Sequence, residues 1–111
     1  MLNNQDLDSA FQALADPTRR TMLARLSRGP ASVSELAAPL AMSLPAVLQH
    51  LKALEVSGLV KTRKKGRVRT AQLDVDVLGE TERWLRDRRT EWEAHADRLE
   101  SFLEAFSQGA K

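Results

Sequence analysis

Residues 32–58 read SVSELAAPLAMSLPAVLQHLKALEVSG, and two helix starts lie within them. In Ser32-Val-Ser-Glu35 the serine hydroxyl and the glutamate carboxylate each accept from a free amide at a helix N-terminus, the reciprocal arrangement of a capping box. The short helix that follows carries Leu36, Ala37 and Leu40. Ser43 caps the next start, Pro45 falls in the first turn, where a missing N–H is harmless, and Gly58 ends the helix. Only residues 40–43 join the two helices, so the spacing predicts a helix-turn-helix over about 33–57. Many helical hairpins share that pattern, and the flanking segments narrow the choice.

Immediately downstream, Leu59-Val-Lys-Thr-Arg-Lys64 and Arg67-Val-Arg-Thr-Ala-Gln-Leu73 have strand-like composition on either side of a turn at Lys65-Gly66. They predict a β-hairpin wing over about 59–73. Lys61, Arg63, Lys64, Lys65, Arg67 and Arg69 crowd this hairpin. One or two lysines protect a hairpin edge from unwanted pairing. Six cations in nine residues exceed that need and suit a polyanion.

Upstream, Leu7, Ala10, Phe11 and Leu14 recur at helical spacing and predict a helix over about 6–15. Asp16-Pro17 starts another, with Met22, Leu23 and Leu26 on its apolar face and Gly29-Pro30 as its stop. Arg19 and Arg20 sit at its N-terminal end, where the helix dipole disfavours cations, so they are expected to pair with acidic groups. Downstream of the wing, a helical pattern capped by Asp74 or Asp76 runs to about Phe106 without a proline. Leu78, Leu85, Trp92, Leu99 and Phe106 repeat every seven residues along it, and His95, Ala96, Phe102 and Leu103 broaden the stripe. Such a helix is about 45 Å long, more than the small body before it can cover. Another chain is expected against it.

The charge is distributed unevenly. Residues 1–73 hold eleven Lys and Arg against five Asp and Glu, and residues 74–106 hold five against ten, within a formal net charge of only +2. An apolar share of 42% and a charged share of 29% predict one folded domain over residues 1–111, small enough to gain from a partner surface. The chain has no cysteine, so thiolate metal sites and disulfides are excluded, and His50 and His95 are the only imidazoles. No metal site and no cofactor is predicted. The opening MLNNQDLDSA has no basic and apolar signal regions, and no apolar run approaches the roughly 18 residues of a membrane span. The expectation is a cytoplasmic protein with no membrane partner.

The order of Asp16-Pro-Thr-Arg-Arg20, Ser32-Val-Ser-Glu-Leu-Ala37, Ser43-Leu-Pro-Ala-Val47, His50-Leu-Lys-Ala-Leu54, Gly58-Leu-Val60 and Lys65-Gly-Arg67 resembles the ArsR/SmtB family of winged-helix repressors. The resemblance covers nearly the full chain. It implies a mainly α fold with a β-hairpin wing and a long C-terminal dimerisation helix, and a homodimer joined through its first and last helices on a palindromic DNA operator. Metal-sensing members carry a Cys-rich motif on the third helix or Asp/His pairs on the last; here the third helix reads Glu35-Leu-Ala-Ala-Pro39 and the last offers only His95. The chain therefore resembles a branch without a metal site. Leu48 stands where many relatives carry serine.

On a helical wheel Val47, Leu51 and Leu54 share a core face with His50 beside them, while Pro45, Gln49 and Lys52 point away. Ser43 and Ala46 lie at the end where a recognition helix meets base edges. Gln49 suits adenine, Ser43 a phosphate or base, and Lys52 a phosphate. With Arg63, Lys64, Lys65 and Arg67 of the wing these form the expected DNA contacts. Ordinary solvated surface is the bland reading of Gln49 and Lys52. His50 either touches DNA or is half-buried and held by a backbone partner. Leu48 either packs at the core margin or meets a thymine methyl. Leu78, Leu85, Trp92, His95, Leu99, Phe102 and Phe106 form the expected dimer stripe. The resulting expectation is a sequence-specific transcriptional repressor acting on double-stranded DNA, its effector unknown. A winged-helix module that binds another protein is the rival. No nucleophile–base pair, phosphate loop or carboxylate cluster points to catalysis.

Overall fold

The computed structural model describes residues 3–109. Its elements follow in the order α1 (Asn4–Leu14), α2 (Pro17–Leu26), β1 (Ala31–Ser32), α3 (Val33–Ala37), α4 (Leu44–Val56), β2 (Val60–Lys65), β3 (Val68–Leu73) and α5 (Val75–Gly109). Among these, residues 3–80 form one compact unit and residues 81–109 a second.

The start of α2 closes the end of α1. Arg19 donates from Nε to the Ala13 carbonyl (2.9 Å) and from Nη2 to that of Gln12 (3.1 Å), and Arg20 donates from Nη1 to that of Leu14 (2.8 Å). Carbonyls accept from both guanidinium groups; Asp16 adds an acidic neighbour for Arg19, as expected, whereas the hydrogen-bond partner of Arg20 is a carbonyl. Only Ala15 and Asp16 separate the two helices, so both arginines reach the negative end of the α1 dipole and its unpaired C=O groups. Asp16 caps α2 by accepting from the Arg19 N–H at 3.0 Å, with Pro17 at the first helical position. At the end of α2, Gly29 takes φ +133°, a backbone position that L side chains rarely adopt.

The core of the first unit gathers Ala10 and Ala13 from α1, Met22, Leu23 and Leu26 from α2, Leu36 from α3, and Val47, Leu51 and Leu54 from α4. Leu59, Val60 and Ala71 close it from the sheet side. The sheet has three antiparallel strands in the order β1-β3-β2, where the sequence predicts a two-stranded hairpin. The additional strand, β1, pairs Ala31 with Ala71 and Ser32 with Thr70. Two residues are too few to leave a period-two pattern. They nonetheless anchor the base of the wing, because Ala31 and Ala71 are both buried.

At the far end of the hairpin the central turn residues are Gly66 and Arg67, one position beyond the expected Lys65-Gly66. A two-residue turn that suits the strand twist needs a positive φ at its first central position, and Gly66 supplies +62°. Asp74, rather than Asp76, caps α5: its Oδ1 accepts from the N–H groups of Asp76 (3.1 Å) and Val77 (3.3 Å). The helix has 35 residues, about 52 Å of rise, and reaches Gly109 rather than stopping near Phe106. Leu78, which the seven-residue repeat assigns to the dimer stripe, packs with Val77 against the core of its own unit.

In the second unit the rest of the stripe is exposed, apart from the half-buried Ala96. Trp92 is 66% and Phe106 69% accessible, and Leu85, Leu99, Phe102 and Leu103 are each at least half so. The Trp92 and His95 rings lie 5.6 Å apart and those of Phe102 and Phe106 6.5 Å, so the helix orders its own aromatics along one face.

Candidate nucleic-acid interface

The short connection between α3 and α4 rests on two serine caps. Ser32 Oγ accepts from the Glu35 N–H at 3.1 Å while Glu35 Oε1 accepts from the Ser32 N–H at 3.0 Å, completing the capping box. Arg25 lies 3.5 Å from the same carboxylate. These hydrogen bonds to the ionised form, first the Ser32 backbone N–H and then its hydroxyl, hold the Glu35 carboxyl below its ordinary pKa. Ser43 Oγ accepts from the Ala46 N–H at 3.3 Å, and its hydroxyl proton remains available for a donor role outward.

The two faces of α4 separate as its periodicity dictates. Val47, Leu51 and Leu54 are buried, whereas Ser43, Pro45, Gln49 and Lys52 are exposed and Ala46 is half-buried. His50 is half-buried on the side facing α2, with Nδ1 3.7 Å from Asp16 Oδ2. Its partner is a carboxylate, not the backbone group expected. Leu48 is 42% accessible, which places it outside the core face and beside the wing.

Within the wing, strand register sorts the six cations. Lys64 pairs across the hairpin with Arg69, and Arg63 with Thr70, so Lys64 and Arg69 share a face while Arg63 and Lys65 take the other. Lys61 lies 3.4 Å from Asp74, and Arg69 donates to Thr62 Oγ1 at 2.9 Å. Arg63, Lys64, Lys65 and Arg67 are exposed and have no ion pair or hydrogen-bond partner among the described residues. Two cations are thus tied into the fold and four carry uncompensated charge near the hairpin tip.

The exposed side of α4 and one face of the wing enclose a furrow of about 380 Å³ lined by Ser34, Leu44, Leu48, Lys64, Arg67 and Arg69. A second furrow of about 330 Å³ lies further along α4, where Leu48, Lys52 and Glu55 meet Thr62 and Arg69. Glu55 accepts from the Thr62 hydroxyl there, and Lys52 Nζ lies 3.7 Å from Glu55 Oε1. Sequence reasoning did not identify this link between α4 and the wing; a Glu and a Thr seven residues apart across a strand boundary carry no recognisable pattern. Among the described residues no group of three or more His, Cys, Asp or Glu side chains is placed to hold a metal ion. No helix there is long and apolar enough to cross a membrane.

A tight pair of helices, an exposed second helix and a basic three-stranded wing define a winged helix-turn-helix protein. Comparison with known proteins extends this. A helix-turn-helix domain family model matches residues 14–63. The HTH-type transcriptional regulator Rv2034 of Mycobacterium tuberculosis is 54% identical over 67 residues, covering 60% of this chain and 63% of that protein. The transcriptional repressor SdpR of Bacillus subtilis is 28% identical over 79 residues, 71% of this chain and 88% of SdpR. Among solved structures, the ArsR family transcriptional regulator RHA00566 superposes with a TM-score of 0.78 at 49% identity, covering 83% of this chain and 95% of that one. The winged helix-turn-helix DNA-binding domain Mb0332 from Mycobacterium bovis, described as homodimeric, gives a TM-score of 0.63 at 27% identity over 78% and 83% of the two chains. The chain belongs to the ArsR family of transcriptional regulators.

Proposed function

We propose that this chain is a homodimeric repressor that binds a palindromic operator in double-stranded DNA and acts in the cytoplasm. The observation that carries the reading is the set of four uncompensated wing cations beside the exposed N-terminal half of α4. In it, Arg63, Lys64, Lys65 and Arg67 engage phosphates or a minor groove, Ser43, Pro45, Ala46 and Gln49 meet the major groove, and Lys52 takes a phosphate. A homodimeric relative, Mb0332, and a relative named as a repressor, SdpR, support the assembly and the direction of regulation. The exposed stripe of Leu85, Trp92, His95, Leu99, Phe102 and Phe106 supplies the contact between copies, together with α1. Contiguous exposed apolar surface of this kind marks an interaction site. We assign no catalytic reaction, metal or cofactor to the chain.

Footprinting of the pure protein on DNA upstream of its own gene tests the reading. Protection of two half-sites about one helical turn apart, weakening steeply with salt, is the expected result. Equal affinity for every duplex together with salt-insensitive binding of a protein partner would favour a protein-interaction module instead.

A further inference from the structure

The surface that should meet DNA is not uniformly polar. Leu44 and Leu48, one helical turn apart on α4, are 54% and 42% accessible, and Val68 on the wing is 54% accessible. All three line the same furrow, whose rim is Lys64, Arg67 and Arg69. Leu48 also lines the neighbouring furrow beside Lys52 and Glu55. It is therefore the apolar side chain common to both, at the middle of the face between recognition helix and wing.

An isolated exposed leucine needs no explanation, but an apolar strip enclosed by cations calls for a ligand that is apolar at its centre and anionic at its margins. Duplex DNA offers one such feature on the base edges of its major groove, the thymine C5-methyl group, with phosphates on either side. We infer that Leu48 is a specificity-determining residue that packs on a thymine methyl in each half-site. The inference rests on the DNA-binding reading above and deepens it. The next residue, Gln49, is exposed and can pair bidentately with the N6 and N7 groups of adenine. Adjacent residues of one helix turn would then read a methyl and an adenine edge within an A·T step.

Removal of the methyl from the DNA provides the test. A duplex is first selected from a random library by the full chain, and each thymine is then replaced in turn by deoxyuridine, which keeps every hydrogen-bonding group. At one thymine in each half-site the wild-type chain is expected to lose about four-fold in affinity, the worth of one buried methyl. Leu48→Ala should bind the thymine duplex no better than the wild type binds the deoxyuridine duplex, and it should not distinguish the two. Leu48→Met, which keeps the apolar reach, should retain most of the distinction. If no thymine methyl matters, or if its effect persists in Leu48→Ala, the inference is overturned and Leu48 only packs beneath the wing. Failure of the library to yield any preferred duplex is a different result, and it overturns the DNA-reading function itself.

Discussion

The Glu55 carboxylate accepts a hydrogen bond from the Thr62 hydroxyl, joining the last turn of α4 to strand β2 of the wing. Arg69 reinforces the link by donating to the same hydroxyl oxygen from the opposite strand at 2.9 Å. A carboxylate on this surface opposes attraction to a polyanion. Its compensating effect is geometric, because it sets the position of the cationic hairpin relative to the helix that carries Gln49.

Removing either partner should therefore loosen the wing. Thr62→Val is expected to lower unfolding stability by about 0.5–1.5 kcal/mol, the usual worth of a hydrogen bond. The double variant with Glu55→Ala should lose less than the sum of the single losses by about 0.5 kcal/mol or more, since the two residues share one interaction. Urea unfolding of the four proteins measures this. Strictly additive losses would mean that the hydrogen bond contributes nothing.

A second expectation concerns acid. Asp16 has its pKa lowered chiefly by the Arg19 backbone N–H, against some desolvation, with His50 and Arg19 adding favourable charge. A carboxylate with a depressed folded-state pKa stabilises the fold fully above its unfolded pKa, ordinarily 3.8, and that stabilisation is lost as pH falls through the lower folded value. Asp16→Asn keeps the cap acceptor but cannot titrate. Its melting temperature should consequently fall less steeply than that of the wild type as pH drops below the ordinary carboxylate range. Parallel melting curves for the two proteins across that range would show that Asp16 does not contribute to acid unfolding.

The elements that announced themselves in the sequence are those closed by local chemistry. Ser32 with Glu35, Asp16 with Pro17, and Ser43 with Pro45 each fix a helix start through neighbours within a few residues, and all three caps form where the sequence places them. Val47, Leu51 and Leu54 were legible for a related reason, as helical periodicity alone assigns their face. What escaped depends on segments brought together by folding. The β1 strand exists because Ala31 and Ser32 reach Ala71 and Thr70, forty and thirty-eight positions away by the numbering of the paired residues. The carbonyl partners of Arg19 and Arg20, the carboxylate beside His50 and the Glu55–Thr62 hydrogen bond are likewise tertiary facts. Leu78 shows the limit of a repeat: its spacing matches the stripe, yet the side chain lies against the core of its own unit.

Assembly supplies a third expectation. Trp92 and Leu99 lie on the exposed stripe, two turns apart, and an unpaired charge inside an apolar interface is strongly unfavourable. Trp92→Glu or Leu99→Glu should shift the chain from dimer to monomer, or to insoluble protein, in sedimentation at micromolar concentration. Leu78→Ala should instead behave as a core substitution, lowering stability through poorer packing. A wild-type chain that sediments as a monomer would remove the dimer from the proposed function.

The last expectation separates phosphate contacts from base contacts. Replacing Arg63, Lys64, Lys65 and Arg67 by Ala removes four uncompensated cations per subunit that have no structural partner among the described residues. The fold should survive, and affinity should fall for specific and random duplexes alike. The slope of log affinity against log salt should flatten by about 0.9 for each phosphate that the wing no longer neutralises. If Arg67 at the turn enters an A·T-rich minor groove, preference for such flanking sequence should disappear as well. Gln49→Ala removes no charge, so its salt slope should match the wild type while discrimination at one base pair per half-site relaxes by about 1–3 kcal/mol. Titrations at several salt concentrations, on selected and scrambled duplexes, distinguish these outcomes. Unchanged affinity and slope in the quadruple variant would make the wing a solvated hairpin, and the exposed face of α4 would then be the surface on which to look for a protein partner.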